Sequence, residues 1–136
     1  MPIDENIKLI NSGREEISAQ VTGDFYEGYN VYLNLTWNQS AIRVEGFDYY
    51  DCFNKLRTQL VVHGLRLLCK GAARQFHHSG MSRDMSNGLK GYWLTKGKQV
   101  SMDQVVSIFD EADADDIADQ ATQKDFSDEW LRLPKE

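Results

Sequence analysis

Apolar and polar residues alternate with a period of two along three early stretches of the chain. Residues 16–22 set Ile17, Ala19 and Val21 against Ser18, Gln20 and Thr22, the mark of a half-buried strand. Residues 29–37 repeat it, with Tyr29, Val31, Leu33, Leu35 and Trp37 facing one way. Asn30, Tyr32, Asn34 and Thr36 face the other. Residues 41–46 carry Ile42 and Val44 into a third strand. Gly23 with Asp24, and Asn38 through Ser40, are the expected turns. Residues 3–10 form a further strand or an ordered lead-in, broken by Asn11, Ser12 and Gly13. Strands joined this closely make an antiparallel meander, which needs one face covered.

The period changes after Phe47. Tyr49, Cys52, Phe53, Leu56, Leu60, His63 or Gly64, and Leu67 follow the three-then-four spacing of one helical face. Asp48 and Asp51 at one end, and Arg66 and Lys70 at the other, oppose the helix macrodipole favourably. The spacing therefore predicts one long helix over residues 48–70, with its stripe widening towards Leu65, Leu67 and Leu68 and with Gly71 just past its end. Gly64 inside that helix implies close approach by another element, since glycine costs about 1 kcal/mol there against alanine. This helix is the natural cover for the meander.

Beyond it the elements are shorter. Residues 74–78 read as a strand, residues 79–88 as a loop closed by the tight-turn pair Asn87 and Gly88, and residues 89–95 as a second strand. Ser101 and Gln104 have the spacing of a capping box, yet Val106 and Ile108 alternate as in a strand. Phe126, Trp130, Leu131 and Leu133 give residues 122–133 a helical period that Pro134 stops. The expected fold is α+β in a single domain over residues 1–136. It has one mostly antiparallel sheet of five to seven strands, one long central helix packed on it, and a short C-terminal helix.

Composition narrows the class. A hydrophobic content of 41% with 11% aromatics suits a folded globule. The N-terminal residues carry acids and no apolar run, so neither a secretory signal nor a membrane span is expected, and a cytoplasmic setting follows. Cys52 and Cys69 are expected on the same helix, about 25 Å apart at helical rise, which excludes a disulfide. The net charge of −6 is unevenly spread. Residues 101–136 hold eleven acidic side chains against three basic ones, a balance of −8, while the first 100 residues carry +2. That asymmetry argues against nucleic-acid binding and suits a basic protein partner; a solvated acidic surface is the plainer reading.

No stretch carries a catalytic or metal motif. His63, His77 and His78 are the whole histidine inventory. Adjacent histidines in a strand point to opposite faces, and His63 is expected on the core face of the helix, so no metal or other cofactor is expected. Asp113, Asp115 and Asp116 sketch a calcium loop, but it lacks the sixth-position glycine and has Lys124 at its twelfth position. Ser79 or Ser82 with His78 and Asp84 could form a nucleophile, base and orienter, but no G-x-S-x-G elbow surrounds either serine. Gly88-x-x-Gly91 lacks the lysine and hydroxyl of a phosphate loop.

Several segments together resemble a known group. These are residues 79–85 (SGMSRDM), 88–92 (GLKGY), Leu94-x-x-Gly97-Lys98-Gln99, Val106-x-Ile108-Phe109-Asp110, and Gly64-Leu65-x-Leu67-Leu68-Cys69-x-Gly71-Ala72. Over roughly residues 47–112 the chain is similar to small bacterial immunity proteins of polymorphic toxin and contact-dependent growth inhibition (CDI) systems. The resemblance implies a strand at residues 105–110 and a cytoplasmic, non-enzymatic inhibitor of a cognate toxin's C-terminal domain. Many such toxins are nucleases, basic because they hold phosphates, so an acidic inhibitor can block them by shape and charge. The residues expected to meet the partner are Asp110, Glu111, Asp113, Asp115 and Asp116, with Arg83 and Asp84 from the 79–88 loop. The alternative is a small enzyme or ligand-binding domain that uses that loop.

Overall fold

The computed structural model describes residues 2–136. The chain divides into two compact units, Met1–Leu68 and Cys69–Glu136. In the first, β1 (Ile3–Asn11), β2 (Glu16–Glu27), β3 (Asn30–Trp37) and β4 (Ser40–Gly46) are followed by α1 (Tyr49–Val62) and the short β5 (Leu65–Leu67). The strands form one antiparallel sheet in the order β4-β3-β2-β1-β5. Register places Val21 opposite Leu35, and Leu35 opposite Ile42. All three are buried, as their alternation requires. α1 packs on β3, β4 and β5 and buries Tyr49, Cys52, Phe53, Leu56 and Leu60. The other sheet face carries Thr22, Asn34 and Arg43 in one row across β2, β3 and β4.

α1 is shorter than its apolar pattern predicts. Asp48 opens it as expected, its carboxylate accepting from the Asp51 N–H at 2.7 Å. The helix ends at Val62, with His63 as its cap and Gly64 at φ +68°. An ordinary residue resists that conformation, so Gly64 marks a stop. The expected close approach is absent, since a Cβ built at Gly64 meets nothing within 4 Å. Nor does the stripe widen, because Val61 and Val62 are exposed. Leu65 and Leu67 are buried with Arg66 out, a period of two that pairs with β1. The apparent widening was strand alternation read with a helical period. Cys69 therefore lies off the helix, and both cysteines are buried free thiols.

Gly23 also differs from expectation. It sits mid-strand between Ile3 and Leu33, where a Cβ would collide with the Tyr32 carbonyl oxygen and the Leu33 side chain. The turn comes later, at Gly28 and Tyr29.

The second unit is built from short elements: β6 (Phe76–His77), α2 (Gly80–Ser86), β7 (Lys90–Trp93), β8 (Val105–Ser107) and α3 (Gln120–Arg132). Single 3-10 turns lie at Lys70–Ala72, Met102–Gln104 and Ala114–Asp116. The strands form their own antiparallel sheet, β6-β7-β8. The α+β class holds, but with two sheets in place of one. Its helices are α1, α2 and α3, in place of one long central helix and a short terminal one. Gly71 belongs to a 3-10 turn and ends no α-helix. Both readings of residues 101–110 are realised in succession, since Ser101 and Gln104 form the capping box of one 3-10 turn and β8 follows it. Phe76, Leu94, Ile108, Phe109 and Ile117 are buried in this unit. No helix among the described residues is long and apolar enough to cross a membrane.

Candidate functional site

The acidic stretch after β8 is ordered through its backbone. Ile108, Phe109, Ala112 and Ile117 turn inward, while Asp110, Glu111, Asp113 and Asp115 are exposed between them. The backbone lies along residues 69–74. The Lys70 N–H donates to the Asp110 carbonyl (2.7 Å), Gly71 to Ile108 (3.0 Å), and Arg74 to Asp116 (2.9 Å). In return the Ala118 N–H donates to the Ala72 carbonyl (2.9 Å). Cys69 with Glu111, and Ala73 with Ile117, add isolated antiparallel bridges.

The five expected acids have different tasks. The Asp116 carboxylate accepts from Arg74 Nη2 (3.1 Å) and Gln75 Nε2 (3.0 Å). It is half-buried and tied to its own unit. The Asp113 carboxylate accepts from the Asp115 N–H at 3.1 Å and caps the short 3-10 turn. Asp110 accepts from the Ser107 N–H at 3.0 Å. Glu111, Asp113 and Asp115 are exposed on this backbone. Arg83 and Asp84 lie elsewhere, on α2.

The expected loop at residues 79–88 is mostly α2. Ser79 caps it, its Oγ accepting from the Ser82 N–H (3.0 Å) while Ser82 Oγ accepts from the Ser79 N–H (3.0 Å). Asn87 in the left-handed conformation ends it. The hydroxyls of the proposed nucleophiles are thus used in capping, and Ser86 Oγ donates to the Ser82 carbonyl at 2.6 Å. Arg83 is half-buried, and its carbonyl accepts from the Gly88 N–H (2.9 Å); Asp84 is exposed.

The histidines do not converge. His63 is exposed at the end of α1, not on its core face, and stands edge-on to Trp37 at 5.3 Å. His78 stands edge-on to Phe76 at 4.8 Å, and burial lowers the pKa of His77. The Cys52 thiol is pushed up to about 12 by burial and then by Asp51, which leaves it protonated and inert. No group of three or more His, Cys, Asp or Glu side chains among the described residues is placed to hold a metal ion.

Gln123 is the residue that sequence reasoning missed. It is 6% exposed, and its Nε2 donates to the Gly71 carbonyl (3.0 Å) and the Ala73 carbonyl (2.7 Å). It thereby ties α3 to the strip against which the acidic stretch lies. One signal was available: Gln123 sits one turn before Phe126 on the helix, where an apolar residue would continue the stripe. Compared with known proteins, the chain matches no family model and no characterised sequence.

Proposed function

We propose that this protein is a binding protein of the immunity type, which neutralises a basic toxin domain by occluding it, without chemistry of its own. The observation that carries the reading is the ordering of the acidic stretch. Its backbone is hydrogen-bonded along residues 69–74, so Glu111, Asp113 and Asp115 are held in place before any partner arrives. Charges held this way cost little further ordering on association. They also raise the local potential that draws in a positive partner. The resemblance over residues 47–112 supports the same class, and a cytoplasmic inhibitor of a nuclease-type toxin is its concrete form. The capping roles of Ser79 and Ser82 weigh against the alternative, an enzyme built on residues 79–88.

The test begins by asking whether a neighbouring gene encodes a large secreted protein with a variable C-terminal domain, and then by co-expression and co-purification with that domain. Association rates of the wild type and of Glu111→Gln/Asp113→Asn/Asp115→Asn are then measured from low to high salt. The amides keep the shape and the Asp113 cap, and Asp116 keeps its hold on Arg74 and Gln75. We expect roughly tenfold slower association at low salt. The two proteins should converge as screening shortens to about 8 Å at physiological ionic strength. Failure to co-purify would remove the inhibitor reading; identical rates at every salt concentration would remove the acidic stretch from the interface.

A further inference from the structure

The tip of the β2–β3 hairpin exposes aromatic side chains that the first unit does not cover. Tyr29 is 91% exposed, Phe47 63%, Phe25 45% and Tyr26 39%. The register explains why they gather at one end of the sheet. Phe25 is opposite Val31, and Val31 is opposite Gly46, the residue before Phe47. At the usual strand spacing that places Phe25 and Gly46 about 10 Å apart. Tyr26 occupies a bulge between Phe25 and Glu27, and Gly28 at φ +59° sets the turn that presents Tyr29. The bulge and the glycine turn set where these side chains leave the backbone.

The charge at this end is negative. Asp24 and Glu45 flank Tyr32 in the register, and Glu45 and Glu27 lie near Tyr26. Desolvation, followed by the nearby Glu45 and Glu27 carboxylates, raises the pKa of the Tyr26 phenol. The nearby cations are engaged. Arg43 lies over Tyr32 at 4.1 Å and pairs with Glu45 at 3.2 Å. Lys55 donates to the Glu45 carbonyl at 2.7 Å and pairs with Asp51 at 3.3 Å. Aromatic faces carry negative charge density and bind guanidinium or ammonium groups, and tyrosine is a common interface anchor.

We propose that the hairpin tip, with Tyr29 exposed at the turn and Glu27 and Glu45 near Tyr26, docks an arginine- or lysine-bearing segment of a partner protein. This rests on the reading of the chain as a binding protein and adds to it an aromatic surface on the first unit.

The test uses the full chain, labelled for NMR and titrated with an octapeptide amide of alternating arginine and glycine. Shifts should concentrate at residues 24–30 and 45–47. Tyr29→Ala should weaken binding there by at least about threefold, while Tyr29→Phe, which keeps the ring, should stay within about twofold. Glu27→Gln with Glu45→Gln should weaken it further at low salt than at high. Tyr29 is exposed enough that its variants fold, which unchanged spectra elsewhere will verify. Shifts that are absent, that are confined to residues 110–116, or that persist in Tyr29→Ala would overturn the proposal. None of those outcomes touches the salt-dependent association assay of the acidic stretch, so each reading can fail alone.

Discussion

Replacing Gln123 with leucine isolates the contribution of one buried amide. The two residues have similar volume, so packing changes little and the lost hydrogen bonds dominate. Gly71 loses its Gln123 donor, while the Ala73 carbonyl keeps the Phe76 N–H at 3.1 Å. A buried carbonyl left short of a donor costs about 1–3 kcal/mol, and a bond lost where another remains about 0.5–1.5 kcal/mol. Burying leucine's apolar surface returns about 1 kcal/mol. The net expectation is a loss of about 2 kcal/mol, read from urea unfolding by tryptophan fluorescence. Hydrogen exchange should also quicken at the Lys70, Gly71 and Arg74 amides. Gln123→Glu adds a sign. An ionised carboxylate facing two carbonyl oxygens is unfavourable, whereas the protonated form can donate, so the folded-state pKa of the new carboxyl rises above its ordinary value of about 4.3. The stability it contributes is present below that value and is lost as pH rises through the folded one. The variant should therefore gain on wild type as pH falls from 7 towards 5. A loss below about 0.5 kcal/mol for Gln123→Leu would refute the reasoning, as would a Gln123→Glu deficit that does not change with pH.

Two further outcomes are expected. Gly64→Ala should destabilise the first unit by about 1–2 kcal/mol, because alanine must adopt the left-handed conformation there; an unchanged urea midpoint would show that the turn after α1 relaxes freely. Burial lowers the pKa of His77, so the unfolded chain takes up the proton first, and stability should fall as pH drops below about 6.5 until the folded histidine also protonates. Comparing His77→Gln with wild type across that window checks the sign, since the variant should lose less stability there.

β3, β4 and the first half of β2 were legible because alternation records one buried face, whereas β1 reads as a strand or a lead-in and β5 as helix. The helix length was not legible. Apolar residues continue past Val62, and only the positive φ of Gly64 separates a helical stripe from strand pairing with β1. The signal at Gly64 was seen but assigned to close packing; Gly23, read as a turn, is the residue that close packing requires. α2 was hidden by composition, since serine, glycine and aspartate favour loops in isolation. Its evidence was a cap pair, Ser79 with Ser82, and Asn87 followed by Gly88, which terminates a helix as readily as it turns a hairpin.

Within the candidate site, charge was legible and role was not. Asp110 through Asp116 look alike in sequence, yet Asp116 is half-buried against Arg74 and Gln75 while Glu111, Asp113 and Asp115 are exposed. What separates them is the spacing of Ile108, Ala112 and Ile117, whose burial fixes which positions between them face solvent. The backbone bonds that fix this stretch reach residues about forty positions earlier, and the Gln123 bonds reach across fifty or more. Long-range pairing of this kind leaves no local period in the chain. It is also why the acids can act as a preformed surface: a solvated tail of equal charge would have to be ordered on binding, and that entropy would be taken from the affinity.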